Sequence, residues 1–513
     1  MTASAFGAPI RCRRNAHTAE STQAARGASI PFPQDDPVQN RLQSFIHGAF
    51  RQDGGEIVTW RAPATLEPAA EMHDSPDRLV DAAVVDARNA YRAARAATTA
   101  QRAKWLLDAA SAIDADAPRM TELIIEDIGK PRRLAAGEVR RAAQFIRACA
   151  AEIATLRGEA LPLDAVEAGT GRLGIVRRVP YGVVGAITPF NAPINLLVQK
   201  AAPALVAGNA VVVKPHPAGT RVALAVAAAF CRSGLPPGLF NVVTGDRAPA
   251  LALAAHRDVD AVTFTGGCAA GDALVRAAGA KKFVAELGSN SANVVMADAD
   301  IGDAAKRIAA AAFEASGQQC VSAQRVLVAA AVHDAFVDAF RTAAKALRVG
   351  DPADAATDVG PMISMAAAER VVTMFEDALA RGGRSILDIR RERCLVSPGI
   401  VSDVPRDALL WNDEAFGPVA VVQRVDGIDE ALRLANDSPF GLQGAVFTRD
   451  LATALRFADE FDVGSLWVNE ASRFRLDGYP FGGVKRSGFG REGVRYAIEE
   501  LSQQKFIGIR PVS

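Results

Sequence analysis

Few features of this 513-residue chain point to a covalent scaffold, a membrane or a nucleic acid. Its six cysteines (Cys12, Cys149, Cys231, Cys268, Cys320 and Cys394) are widely scattered, with no CxxC pair. That excludes a disulfide framework and a cysteine-rich zinc module, so no metal is expected, and it favours a reducing cytoplasm. Basic and acidic side chains both number 58, so bulk charge draws the chain neither to nucleic acid nor to an anionic bilayer. No apolar run approaches the roughly 18 residues that a membrane-crossing helix needs. Aromatic residues are scarce at 6%, although half the chain is hydrophobic and alanine dominates it. Helices packed through small side chains follow from that balance. The length exceeds what one core fills, so two or three domains are expected.

Residues 1–35 stand apart. Arg11, Arg13, Arg14 and Arg26 lie among Ser, Thr and Ala, with Glu20 the only acid before Asp35. The segment reads either as a disordered tail or as an arginine-rich leader. From Asp77 to about Leu156, apolar residues recur at three- and four-residue spacing, which predicts amphipathic helices. Near Arg172 the period changes. Leu173–Val179, Gly182–Ile187, Ala210–Val213, Phe240–Val243 and Ala261–Phe264 read as strands separated by helices. Short apolar strands joined by helices predict an α/β protein with a parallel doubly wound sheet. A second α/β region extends from about Ser289 to Phe474.

Two pairs of residues carry chemistry. Cys320, in Gly317-Gln318-Gln319-Cys320, and Glu286, in Glu286-Leu287-Gly288, suit a nucleophile and a base acting on a carbonyl carbon. A buried free cysteine is equally the behaviour of a small hydrophobe. Thr265-Gly266-Gly267-Cys268-Ala269-Ala270-Gly271 follows a strand and opens a helix, a place where backbone N–H groups attract phosphate. It matches neither GxGxxG nor a P-loop. Lys214-Pro215 adds a cation at the carboxyl end of another strand, where ligands of such sheets bind.

In order along the chain come Thr188-Pro189-Phe190-Asn191, Gly208-Asn209-Ala210-Val211-Val212-Val213-Lys214-Pro215, Phe264-Thr265-Gly266 and Glu286-Leu287-Gly288. Gly317–Cys320, Glu414-Ala415-Phe416-Gly417-Pro418 and Pro480–Gly488 follow. Through these motifs the chain, from about residue 45 to its end, resembles the aldehyde dehydrogenase superfamily. The resemblance implies a Rossmann-type cofactor domain (36–157 and 178–287), an α/β catalytic domain (288–480) and a small bridging β element (158–177 and 495–513). That element implies a homodimer or homotetramer. Cys320 would attack a small aldehyde, Asn191 and the Cys320 N–H would hold the oxyanion, and Glu286 would activate water on the thioester. Lys200 would support the Asn191 loop or lie on a helix surface. NAD or NADP would meet Thr188, Pro189, Phe190, Lys214, His216, Pro217, Gly245, Thr265, Gly266, Gly267, Gly271, Leu287, Glu414 and Phe416. Members that pass the acyl group to coenzyme A generally lack the base, which makes water the expected acceptor. A scaffold protein of the same fold would need neither Cys320 nor Glu286.

Some positions depart from the family pattern. Pro217 replaces a glutamate that binds the adenosine ribose in many NAD-preferring members, which leaves NADP open, with Arg221 in reach of a 2′-phosphate. Gly267, Ser289 and Phe190 replace a common Ser, Gly and Trp. The Thr188–Asn195 segment resembles the branch acting on lactaldehyde, succinic semialdehyde or phosphonoacetaldehyde. Asn195, Gln199 and Gln319 are then expected in a polar pocket, and Arg473 either is a surface arginine or pairs with an anionic group of the substrate.

Overall fold

Val183–Thr188, Ala210–Pro215 and Ala261–Thr265 are buried along their whole length. Strands without a wet face need cover on both sides, and helical crossovers between parallel strands provide it. The computed structural model describes residues 41–51 and 54–511 and has that arrangement. The reading of residues 1–35 lies outside the described residues.

Among the described residues an eight-stranded sheet has the spatial order Gly488–Phe489, Lys282–Glu286, Ala261–Thr265, Val183–Thr188, Ala210–Pro215, Phe240–Val242, Ser44–Ile46 and Ala49–Arg51. The strands from Lys282–Glu286 to Phe240–Val242 pair in parallel. Helices Asp77–Ala93, Thr99–Ala115, Ala117–Ile128 and Arg132–Glu152 occupy the stretch where helical periodicity is read. Helix Pro193–Ala207 is buried at every residue, packed between the sheet and helices Arg132–Glu152 and Val494–Glu500. It starts with proline at its first position and ends at Gly208, whose φ of 104° reverses the chain into the next strand.

A seven-stranded sheet forms the second α/β region, in the order Arg384–Leu387, Gly399–Ser402, Val419–Val425, Arg325–Ala329, Ala292–Val295, Gln443–Phe447 and Ser465–Val468. Only its first pair is antiparallel. Successive residues alternate between its faces: Leu327 and Val421 pack with Phe375 and Trp411, while Val326, Val328 and Val422 pack with Phe313, Phe336 and Phe340. A third sheet pairs Ser502–Ile509 along the whole of Leu173–Pro180, with Glu159–Leu161 on the other side.

The chain returns to the first sheet near its end. Gly488–Phe489 pairs antiparallel with Ala285 and Glu286. Gly488 has a φ of +115°, and a Cβ there would lie 2.0 Å from the Ala285 carbonyl oxygen. Gly488→Ala is expected to lower unfolding free energy by roughly 1–3 kcal/mol, read by denaturant titration.

Candidate active site

Strand register sets out the site. Glu286 lies beside Thr265, Lys214 beside Ile187, and Thr188 beside Pro215, so one carboxyl edge carries Glu286, Thr265, Thr188 and Lys214. Open parallel sheets bind ligands at that edge. The second sheet contributes Cys320 from across the cleft. After helix Ile301–Phe313 the chain passes through three consecutive left-handed residues, Ala315 (φ 52°), Ser316 (φ 59°) and Gly317 (φ 64°). Such strain persists only where neighbours enforce it. Ser316 Oγ donates to the Gly360 carbonyl at 2.7 Å, and a Cβ on Gly317 would lie 2.1 Å from the Gly417 carbonyl oxygen. The loop then delivers Cys320, partly exposed, beside Val321, Leu442, Tyr479 and Phe481.

Glu286 is 1% exposed, and neither of its carboxylate oxygens has a hydrogen-bond partner. Burial, with help from the Glu492 charge, raises its pKa to about 7, against the pull of Cys320, Arg475 and Lys200. Cys320 lies near enough to couple to this carboxylate, although no hydrogen bond of ordinary geometry joins them. Burial and the Glu286 charge push the thiol well above its usual range, and Arg475 opposes them. Cys320 is therefore a neutral thiol beside a carboxyl whose pKa is raised to about 7. Asn191 is buried, and its side-chain Nδ2 donates to the Gln318 carbonyl at 3.0 Å. That contact leaves one amide N–H free beside the cysteine loop.

Behind Glu286 lies a set of buried charges. Lys200 Nζ donates to Glu492 Oε1 and Thr265 Oγ1, each at 2.7 Å. Arg475 Nη2 donates to Glu492 Oε2 at 3.0 Å and to Gln199 Oε1 at 2.9 Å, and its guanidinium lies 3.6 Å from the Phe481 ring centroid. Two expectations for Lys200 are corrected here. It is 1% exposed rather than on a surface, and its ammonium is held by Glu492 and Thr265, not by the Asn191 turn.

Arg473 is also corrected: it donates to Glu314 Oε2 at 2.8 Å and to the Ala310 carbonyl, so its charge braces the start of the cysteine loop. Arg133 binds the other Glu314 oxygen at 3.1 Å. Gln199 is partly committed, because its oxygen takes Arg475 and its amide reaches Asp477 at 3.4 Å. Gln319 is half-buried beside Cys320, and Asn195 Oδ1 is buried without a partner.

The residues expected at a dinucleotide are spread along the same edge from Lys214 to the Glu286 end, which Glu414 reaches from the second α/β region. Thr188 Oγ1 is buried and unpartnered. Lys214 Nζ donates only to the Pro215 carbonyl, and burial lowers its pKa to about 8 despite Asp246 and Asp74 nearby. Gly266 and Gly271 lie too close to Phe264 and Leu287 for a Cβ, whereas Gly267 faces open space ahead of helix Cys268–Ala278. Phe190 meets Phe416 edge-on at 5.9 Å and His216 at 5.4 Å. His216 Nδ1 accepts from the Ala218 N–H, and burial lowers its pKa to about 3, so it is neutral. Pro217 begins a buried 3-10 turn, and Gly245 (φ 121°) lies against Asp74. Glu414 is half-buried, its Oε1 accepting from the Ser289 N–H at 3.0 Å, and desolvation of its carboxylate raises its pKa to about 8. An unpartnered hydroxyl, a cation without a carboxylate on it and an uncrowded helix start fit a bound dinucleotide. Arg221 does not join this set: Asp127 and Glu126 hold its guanidinium.

Comparison with known proteins agrees with the arrangement. The model of the aldehyde dehydrogenase family matches residues 50–507. The chain belongs to the aldehyde dehydrogenase family. A 3-sulfolactaldehyde dehydrogenase from Priestia aryabhattai is 39% identical over 444 residues, 86% of this chain and 93% of that protein. Aspartate-semialdehyde dehydrogenase 1 from Pseudomonas canavaninivorans is 37% identical, covering 88% of this chain and 98% of its own. Among solved structures, the NADP-dependent glyceraldehyde-3-phosphate dehydrogenase of Bacillus halodurans, complexed with NADP, superposes with a TM-score of 0.89 at 32% identity, covering 92% of this chain and 99% of its own.

Glu492 and the role of Arg475 escape the sequence reading. The dehydrogenase pairs Glu492 with a lysine 292 residues away, a contact that no local period signals. Glu492→Gln removes a negative neighbour from Glu286 and leaves both cations in place. The Glu286 pKa should fall, moving the acid limb of the kcat/KM profile to lower pH. Arg473→Ala should weaken turnover of anionic and neutral aldehydes alike, because the side chain braces a loop; a loss confined to anionic aldehydes would restore the anchor role.

Proposed function

We propose that the enzyme oxidises a small polar or anionic aldehyde to the free carboxylic acid through a covalent intermediate on Cys320. The observation that carries this reading is the pairing of Cys320 with Glu286, a buried carboxyl raised to about 7 with no hydrogen-bond partner. In this mechanism Glu286 takes the thiol proton as Cys320 adds to the carbonyl carbon. The developing oxyanion receives the free Asn191 amide N–H and the Cys320 backbone N–H. A nicotinamide, when bound, supplies the hydride acceptor. Once Glu286 has released the thiol's proton to solvent, it removes a proton from a water that attacks the thioester carbon, and the Cys320 sulfur leaves as the acid forms, so no coenzyme A is required. Lys200, Glu492 and Arg475 hold the charge balance that keeps the Glu286 pKa near the working pH.

The polar substrate class rests on two buried, unpartnered atoms: Arg475 Nε, a donor on a side chain whose charge acts on the Cys320 thiol, and Asn195 Oδ1, an acceptor on the helix that follows Asn191. Sulfolactaldehyde and aspartate semialdehyde, in the relatives' names, carry groups of that kind. The dinucleotide would be held by Lys214 at its adenosine ribose, by the Gly266–Gly271 turn at its phosphates, and by Glu414 and Phe416 at its nicotinamide ribose. NADP is accepted as well as NAD, because Pro217 presents no carboxylate to a 2′-phosphate and Lys214 lacks one. A homodimer or homotetramer is proposed from the exposed Leu173, Phe506 and Ile509 on the third sheet.

The test is an aldehyde panel run with each dinucleotide. Small anionic aldehydes should give reduced cofactor without added coenzyme A, and Cys320→Ala should give none. Glu286→Gln should cut steady-state turnover by about 10²-fold or more. Dependence on coenzyme A, or full turnover by Glu286→Gln, would defeat the hydrolytic reading.

A further inference from the structure

The helix that follows Asn191 lacks a cap of its own. Ala192 occupies its N-cap position and has no side chain to accept a hydrogen bond, and Pro193 follows at the first position without an N–H. The free donors are the backbone N–H groups of Ile194 and Asn195. Both go to one atom from a distant helix: Glu138 Oε1 accepts from Ile194 at 3.1 Å and from Asn195 at 3.2 Å. The other carboxylate oxygen of Glu138 is taken by the Lys130 ammonium. Glu138 is 6% exposed and Lys130 7%. An anion at a helix N-terminus is favourable, and here it is desolvated and paired as well.

Lys130 brings this strut to the oxyanion side of the site. It lines a small cleft together with Phe190, Asn191, Ser316 and Gln318. Those are the residues that carry the Asn191 amide and the strained approach to Cys320. Asn191 sits in a turn whose far end is fixed by Glu138 and whose side chain is fixed by the Gln318 carbonyl. Without the Glu138 contact the turn would lose its tie to helix Arg132–Glu152 and keep only the Asn191–Gln318 bond and its backbone link to the preceding strand.

We infer that Glu138, backed by Lys130, is a positioning residue for the oxyanion donor Asn191: it caps the Pro193–Ala207 helix from outside and so fixes the turn that aims the Asn191 amide at the carbonyl oxygen. Neither side chain touches substrate. The inference rests on the oxyanion role proposed for Asn191, and its test separates the two.

Acylation of Cys320 by p-nitrophenyl acetate forms the same kind of oxyanion and needs no dinucleotide. The readout is the burst rate of p-nitrophenolate in the whole enzyme, with thermal melts as a folding control. Asn191→Ala is expected to slow the burst by about 10²-fold, the usual loss for one oxyanion donor. Glu138→Ala should slow it about tenfold. Glu138→Gln keeps an oxygen for the two N–H groups and should recover most of that loss. In the Asn191→Ala background, Glu138→Ala should add no further slowing, because the group that it positions is gone. If Glu138→Ala does not fold, Lys130→Met, which removes the partner that holds Glu138 in place and should also slow the burst, takes its place in the same cycle. Multiplicative losses in the double variant, or an unchanged burst in every Glu138 and Lys130 variant, would overturn the positioning role. An unchanged burst in Asn191→Ala alone would instead remove the oxyanion role, and the inference with it.

Discussion

The Glu492 carboxylate, buried between Lys200 and Arg475, is the interaction on which the rest of the site depends. Two cations and one anion leave a net positive charge next to Glu286. Without that positive charge, burial would hold Glu286 protonated at neutral pH and leave no base for the two proton transfers proposed for it. With a second neutralising carboxylate, the Cys320 thiol would lose the one positive neighbour that opposes its raised pKa. Removing one partner from a buried charge set leaves an uncompensated ion, typically at a cost of about 3–5 kcal/mol. The same contacts also tie the architecture together. Lys200 comes from the helix under the first sheet, Thr265 from the sheet edge, and Arg475 and Glu492 from the C-terminal segment that returns to that edge.

Geometry on the other side of the cleft is held by close backbone packing around a strained turn and by one ion-pair clamp. The Ala315–Gly317 stretch keeps three left-handed residues in a row only because Gly360 and Gly417 are pressed against it. Glu314, clamped between Arg133 and Arg473, fixes where the stretch begins. Cys320 thus arrives from a rigid loop of the second sheet at a base carried by the first. The cleft between the two sheets is where, in the proposed mechanism, substrate and dinucleotide would meet.

Much of this was legible from residue order. All-apolar strands such as Ala210–Val213 announce a parallel sheet, since a strand buried on both faces has no alternation to show. The Thr265–Gly271 turn and Lys214 fall at the carboxyl edge, as their places after strands suggest. Charged side chains were read less well, for a physical reason: sequence shows that a residue is charged but not which partner desolvates it. Arg473 and Arg475 are two residues apart in one loop, yet one braces Glu314 and the other sits within the buried charge set. Lys200 lies on a helix with no exposed face at all, so no helical period could tell its inward side from its outward side. The external cap by Glu138 is invisible for the same reason, because its acceptor and donors come from separate helices.

The central claim is that a buried carboxyl beside Cys320 changes protonation near neutral pH. Infrared difference spectra of the wild type and of Glu286→Gln, recorded across a pH titration, isolate that one group from Glu414 and every other carboxyl. The account predicts a protonated-carboxyl band that belongs to Glu286, present below pH about 7 and lost above it. A band already absent at pH 5 would contradict it, since an ordinary ionised carboxylate would then occupy the position of the base.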